Sequence, residues 1–346
     1  MKLLRVLAVP AALTLVAACG GGGTPGAPQA QATTASASAT KSAHPVSQTT
    51  ARPPAMAGVT ARGALVLLSS STGAPVRTLV PNGVIGDEIS VSSDGQMIFF
   101  SRRHGCVDDV EAVAVSGGKP TLLTTGSVPA LSPDGNTLAF ARQPTLTPHC
   151  LKAAGSDLSA QYSLVTRTLS TGVERVYPML PAGQSGGLPA PISHLSWAAN
   201  GTELAVSIAA IQDNEGWQIM LMDTATAQDY LGGAGDTQVP VTGLDRRRSY
   251  WREGVYLPGG NLFVSRACCA GEPARNVSKL MWQITPAGVL KHQVAIGFPG
   301  LNHTSLAVNR SGNWLLYLAG TALYVSEKGA RPRQVGSGLI AAAFVN

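Results

Sequence analysis

No apolar segment of the chain is long enough to cross a bilayer as a helix. The most extended one, Val6–Ala18, is broken by Pro10 and Thr14 and falls short of the roughly 20 residues a spanning helix needs. Charge is also sparse. Asp, Glu, Lys and Arg make up 13% of the 346 residues, and of the formal net charge of +6 two positive charges belong to Lys2 and Arg5 at the extreme N-terminus. A basic surface able to follow a nucleic-acid backbone is missing apart from one short run, Arg246, Arg247 and Arg248, so nucleic acid is not expected as a partner. No P-loop or EF-hand loop occurs, and no glycine motif stands between a strand and a helix as a dinucleotide fold requires. Motifs alone therefore assign no catalytic residue, no metal ligand and no cofactor.

The N-terminus carries an export signature. Lys2 and Arg5, the apolar run and small residues before Cys19 have the three-part form of a secretory signal. Val16-Ala17-Ala18-Cys19 resembles the lipobox of bacterial lipoproteins. That resemblance implies a signal peptide over 1–18, cleavage before Cys19 and a diacylglycerol on its thiol. It also implies a protein held on the outer face of the cell membrane or in a periplasm. An ordinary signal peptide whose cleavage site happens to end in Cys is the alternative. One acyl chain anchors marginally, whereas two or more hold firmly. Residues 19–62 are mostly Gly, Ala, Ser, Thr, Pro and Gln. Such a stretch cannot bury enough apolar surface to offset its chain entropy, and we expect a disordered tether with a reach of roughly 35 Å.

What remains, 63–346, is repetitive. Apolar strand, turn ending in Gly, apolar strand recurs around Gly95, Gly135, Gly201, Gly260 and Gly312. Asp-Gly and Asn-Gly between apolar runs are strong hairpin signals, because Gly accepts positive φ without steric cost. A second hairpin type follows each of these, for example 110–125 and 162–178, and one copy at 63–80 precedes them all. A lone strand, 339–345, ends the chain. Four strands recurring every 40 to 66 residues or so predict an all-β fold, a β-propeller of about six blades. The last blade would be closed by the N-terminal hairpin and the C-terminal strand. That composite blade lacks an obvious fourth strand unless Met56–Arg62 contributes, and a seventh blade within 180–191 has little support.

Leu131-Ser132-Pro133-Asp134-Gly135-Asn136-Thr137-Leu138-Ala139-Phe140 resembles the repeat of TolB-like, WD-related propellers. Ser92-Ser93-Asp94-Gly95 matches less fully, and Ala198–Gly201, Leu257–Gly260 and Asn309–Gly312 are degenerate copies. The resemblance implies the fold. It does not assign an activity, since one fold hosts many functions.

The remaining candidates lie in loops. With Cys19 given to lipid, four cysteines are left: Cys106, Cys150, Cys268 and Cys269. An even count in an exported domain points to disulfides. Cys106 and Cys150 fall in equivalent loops of adjacent blades, so a bridge between them is expected. Cys268 and Cys269 either pair as neighbours or stay reduced. A zinc site from Cys106, Cys150, His104 and His149 is the competing reading, with spacing that fits no compact zinc motif. His104, Asp108 and Asp109 read as solvated loop charge. Trp197, Trp282 and Trp314 read as core. The long loops 143–161, 180–191, 232–249 and 267–278 are candidate binding elements. Arg246, Arg247, Arg248, Tyr250 and Trp251 form the candidate contact patch, since cationic and aromatic side chains recur in binding hot spots. The function expected is a monomeric, non-enzymatic module that binds a protein or envelope polymer. The alternative is a calcium-dependent, lactonase-like propeller hydrolase with a channel metal. That chemistry needs carboxylates and amides converging from several blades, whereas the inner strands are mostly apolar or small. Glu88, His194, Glu253 and His303 stand at or near their starts.

Overall fold

The computed structural model describes residues 52–145, 147–155, 162–179, 191–209, 218–226, 231, 236–241, 250–267, 280–296, 303–327 and 330–345. Its strands, in chain order, begin with β1 (Ala55–Thr60), β2 (Leu65–Leu68) and β3 (Pro75–Val80). Next come β4 (Val84–Val91), β5 (Met97–His104), β6 (Val107–Ala114) and β7 (Thr121–Thr125). The third group is β8 (Ser127–Leu131), β9 (Thr137–Arg142), β10 (Ser163–Thr168) and β11 (Glu174–Pro178), with helix α1 (Pro148–Ala154) between β9 and β10. Then follow β12 (Ile192–Trp197), β13 (Glu203–Ile208), β14 (Gln218–Asp223) and β15 (Thr237–Gln238). The fifth group is β16 (Tyr250–Tyr256), β17 (Leu262–Ala267), β18 (Leu280–Ile284) and β19 (Leu290–Ile296). The last strands are β20 (His303–Val308), β21 (Trp314–Ala319), β22 (Ala322–Glu327), β23 (Arg333–Gly336) and β24 (Leu339–Val345).

Among the described residues these strands form six antiparallel sheets of four. Five use consecutive strands, and the sixth has the order β24-β1-β2-β3. The six strands β4, β8, β12, β16, β20 and β24 each neighbour the next around a closed ring. This is the six-bladed propeller, closed by joining the two chain ends in one blade. The boundary expected from sequence needs moving. The propeller begins at Ala55, inside the segment read as tether. β1 supplies the missing fourth strand, with Met56 facing Leu68 on one side and Phe344 on the other. The segment is short and small-sided, and no turn residue announces it. Met56, Ala57 and Val59 are nevertheless fully buried, because a strand held between β2 and β24 is covered on both faces by adjacent blades.

The same cover explains the second strand of every blade. Leu138–Ala141 of β9, Leu204–Ile208 of β13 and Trp314–Ala319 of β21 are buried without alternation, as an apolar run sandwiched between sheets must be. The outer strands are the reverse, with Pro75–Thr78 of β3 all exposed. The core is thus a set of layers between blades rather than one centre. Ala57, Val59 and Leu65 pack on Ile98, Phe100 and Val113. On the other side of the composite blade, Met56 and Val66 pack on Trp314, Leu316 and Leu323.

The repeat turns keep one geometry through degenerate sequence. Gly95, Gly135, Gly201, Gly260 and Gly312 each donate their N–H to the carbonyl three residues earlier, at 2.8–3.0 Å. Ser92 and Ser132 accept from the N–H of Met97 and Thr137, each at 2.9 Å. Asn309 replaces the serine and accepts from Trp314 N at 2.9 Å. Asp94 and Asp134 have pKa values below the usual carboxylate range, chiefly because Ser92 and Ser132 donate hydroxyl bonds to them.

Cys106, in the β5–β6 turn, is bonded to Cys150 on α1, with their Cα atoms 5.3 Å apart. The expected bridge is therefore present. It joins neighbouring blades and closes a loop of sequence separation 44, a constraint worth roughly 4 kcal/mol in the chain-entropy account. Both sulfurs are consumed, so the zinc reading with His104 and His149 loses two of its four ligands. Cys268 and Cys269, and the segment weighed as a seventh blade except Pro191, lie outside the described residues.

Two glycines with similar backbone separate strain from packing. Gly135 has φ of +77° and open space around its missing Cβ, whereas at Gly73 (φ +62°) a Cβ would sit 2.0 Å from the carbonyl oxygen of Val335 in the adjacent blade. Gly135→Ala should then lose about 1 kcal/mol from left-handed strain alone, roughly 2–4 °C in Tm. Gly73→Ala should lose at least about twice that. Thermal unfolding of the two variants checks the order, and equal shifts would refute the packing assigned to Gly73.

Candidate functional site

The six inner strands enclose a central cavity of about 480 Å3 to which all of them contribute lining residues. One end is formed by residues at or beside the repeat turns, among them Pro133, Ala199, Pro258 and Arg310. The other end is set by Glu88, His194 and Ser305, at the bulges of the inner strands. The walls mix apolar side chains, among them Ile89, Leu195, Val255, Leu306 and Phe344, with polar ones such as Ser90 and Ser196.

Polar groups occur where the inner strands are irregular. The pairing register shifts between Val84 and Ile89, Ser127 and Ala130, Ile192 and His194, Trp251 and Glu253, and Thr304 and Ala307. A bulge leaves backbone groups without ladder partners, and buried N–H groups must find others. Side chains meet them here. Val128 N donates to Ser101 Oγ at 3.0 Å and Gly254 N to Ser207 Oγ at 3.2 Å. Leu195 N donates to Glu88 Oε2 at 2.9 Å and Leu306 N to Glu253 Oε2 at 3.4 Å. Glu88 belongs to β4 and reaches β12 past the intervening blade, so it struts the cavity from one wall to another. Val128 and Ser305 hold positive φ, 55° and 52°, within their bulges, an unusual backbone for side chains of these types.

Glu253 and His194 are buried, and Glu88 is partly buried. His194 Nδ1 lies 3.4 Å from Glu88 Oε1, and burial pushes the His194 pKa down to about 4, leaving the ring neutral at pH 7. Burial pushes the Glu253 carboxyl up to about 7, against the opposing pull of the Arg252 guanidinium and the N–H groups of Leu306 and Ser305. Near the turns, Arg310 Nη1 donates to Ser93 O at 3.0 Å, spanning the composite blade from the sixth blade to the second.

The residues expected to carry function fare unevenly. Arg246, Arg247 and Arg248 lie outside the described residues. Trp251 is 1% exposed, and its Nε1 donates to Pro240 O at 3.2 Å. It packs inside β16 rather than at a surface, because it follows the strand's first residue and faces the neighbouring blade. Tyr250 is half-buried. Trp251 therefore does not supply the exposed ring expected of the contact patch. Asp108 is 7% exposed rather than solvated, with Arg103 making two bonds to it at 2.9 and 3.2 Å. Asp109 lies 3.8 Å from His104, so this cluster braces the disulfide hairpin. Trp197 and Trp314 are core, Trp197 donating to Ala130 O at 2.9 Å, and Trp282 is half-buried. Among the described residues no group of three or more His, Cys, Asp or Glu could hold a metal ion. The string Gly183-Gln184-Ser185-Gly186-Gly187 has the spacing of a hydrolase nucleophile elbow and lies outside the described residues.

Glu253 and His194 give opposite pH dependences. A raised acid pKa means that the folded state binds the Glu253 proton more tightly, so stability falls as pH rises from about 4.5 through 7. A lowered histidine pKa means that stability is lost as pH falls from 6.5 through about 4. Their slopes oppose each other over the shared window. Glu253→Gln removes the first. Its urea-unfolding free energy should climb between pH 4.5 and 6.5 and then level, exceeding wild type at pH 8 by roughly 1–3 kcal/mol. A variant no more stable than wild type at pH 8 would contradict a buried, reluctant carboxylate.

No protein-family model matches the chain, and no curated protein matches it. Solved structures do. TolB from Acinetobacter baumannii aligns with a TM-score of 0.53 at 13% identity, over 84% of this chain and 66% of that one. This chain therefore spans slightly less than two thirds of that protein's length. A putative TolB from Agrobacterium tumefaciens aligns with a TM-score of 0.50 at 11% identity, over 83% of this chain and 89% of that one. At such identities the likeness carries the fold alone, and it agrees with the blade count and the closure: the chain has the six-bladed β-propeller fold of the TolB-like proteins.

Proposed function

We propose that this protein is a membrane-tethered, extracytoplasmic binding module, lipidated at Cys19, whose protein or envelope ligand engages the turn-side mouth of the propeller channel. The cavity is the observation that carries the reading. A concave site of about 480 Å3, lined by apolar side chains such as Leu195 and Val255 together with polar ones such as Ser90, Ser196 and Asn309, has the size of a ligand pocket. It is bounded by strands of six different blades, so its walls are fixed by the whole ring. The N-terminal Cys19 and the low-complexity segment after it support presentation of this pocket at a distance from a membrane. The TolB-like fold is compatible with the reading and does not choose the ligand.

Two measurements test it in the cell. Cys19→Ala should release the protein from the membrane fraction and abolish metabolic labelling with a fatty acid. Retention with undiminished labelling would refute the anchor. A photo-crosslinking amino acid at Ala199, exposed at the mouth, should give a discrete adduct. The same group at Val76, 65% exposed on outer strand β3, should give none. Adducts from Val76 alone would move the interaction to the rim and overturn the channel reading.

A further inference from the structure

We propose that Asn82 is a site of spontaneous covalent modification, at which the Gly83 amide nitrogen attacks the Asn82 side chain and converts it to aspartate and isoaspartate. The bond from Gly83 N to Asn82 Cγ forms, the Cγ–Nδ2 bond breaks, and ammonia leaves with the proton shed by Gly83 N. Water then opens the resulting succinimide at either carbonyl. Asn is among the thermolabile residues, and a following Gly has no Cβ to obstruct the attack. Two Asn-Gly pairs occur in the chain, Asn82-Gly83 and Asn200-Gly201. Both asparagines are exposed, so exposure does not separate them. Hydrogen bonding does. At the second pair both reacting groups are occupied. Gly201 N donates to Ala198 O at 3.0 Å, and Asn200 Oδ1 accepts from Thr202 N at 3.0 Å and Glu203 N at 3.2 Å. At the first pair, neither the Asn82 side chain nor the Gly83 N–H has a hydrogen-bond partner among the described residues. Gly83 is held through its carbonyl, which accepts from Arg103 N at 3.0 Å.

The surroundings assist the reaction. Attack requires the peptide nitrogen to lose its proton, and a nearby cation stabilises the anion that forms. Arg102 lies against Gly83, close enough that a Cβ there would sit 3.1 Å from its Nε. The Arg102 Nη1 atom is 3.5 Å from Glu111 Oε2, an ion pair that orients the guanidinium. The place of the reaction gives it structural weight. Asn82 and Gly83 connect β3 of the composite blade to β4 of the next. Val84 N donates to Gly63 O at 3.0 Å, tying the two blades together one residue further on. An isoaspartyl link adds one carbon to the main chain at this seam, and either product adds a negative charge.

Peptide mapping by mass spectrometry tests the proposal on the full chain, incubated in detergent at pH 8 and sampled over days. In the folded protein Asn82 should convert at least about tenfold faster than Asn200, because reaction at Asn200 must wait until its hydrogen bonds open. In guanidinium chloride the two rates should converge, since each pair is then an unstructured Asn-Gly. Arg102→Gln should slow conversion at Asn82 in the folded protein and leave Asn200 unchanged. Aged wild type should melt below fresh wild type, whereas Asn82→Gln, aged in parallel, should keep its Tm. Conversion of Asn200 as fast as Asn82 in the folded protein would overturn the proposal. So would an intact Asn82 in folded protein after its denatured counterpart has reacted. An Arg102→Gln rate equal to wild type would remove the role given to the guanidinium, and an unchanged Tm after conversion would remove the one given to the seam.

Discussion

Hydrogen bonds between β1 and β24 join the two ends of the described chain, and the ring depends on them. Pairing runs from Ala55 opposite Val345 to Thr60 opposite Leu339, with one register shift. Without it the composite blade would lose its inner strand, and the two packing layers beside it would open to water. Those layers hold Ala57, Ile98 and Ala341 on one side and Met56, Leu316 and Phe344 on the other. Closing so long a loop is less unfavourable than its length implies, because each doubling of a loop adds only about 0.6 kcal/mol. The apolar surface buried on both faces of β1 readily exceeds that, at roughly 25 cal/mol per Å2. Closure in turn fixes the channel, since β24 is one of its six walls.

The repeat was legible because its information is local. A serine or asparagine, a glycine at positive φ and flanking apolar runs specify a hairpin whatever the rest of the chain does. The bonds at Ser92, Ser132 and Asn309 show the same geometry surviving changed residues. The Cys106–Cys150 bridge was legible for a related reason: once hairpins are aligned, equivalent loops of adjacent blades must be neighbours. β1 was harder to see. Ala55–Thr60 has no turn before it and follows a Pro-rich stretch, and it becomes a strand only through the partners on either side.

The channel was legible in its members but not in their roles. Glu88, His194 and Glu253 were visible at or near the starts of the expected inner strands. What they do depends on where the ladder slips, and slippage is set by packing between blades. Trp251 failed for the opposite reason. Its nearness in sequence to three arginines suggested exposure, yet one residue into a strand that borders another blade, the interior claims a side chain of that size.

The bulges also explain why a carboxylate stands at Glu88, where a serine would not reach. Ser101 and Ser207 reach N–H groups in the directly adjacent inner strand, a distance a short side chain covers. Leu195 is satisfied from β4, beyond the blade between them, and only a longer side chain such as Glu88 spans that gap. A neutral amide of equal length would also reach, but it would present a donor as well as an acceptor. The carboxylate brings acceptors alone, so it holds Leu195 N and faces His194 Nδ1 with the same group. In this way an irregularity of the inner strands sets a carboxylate and an imidazole side by side on the channel wall.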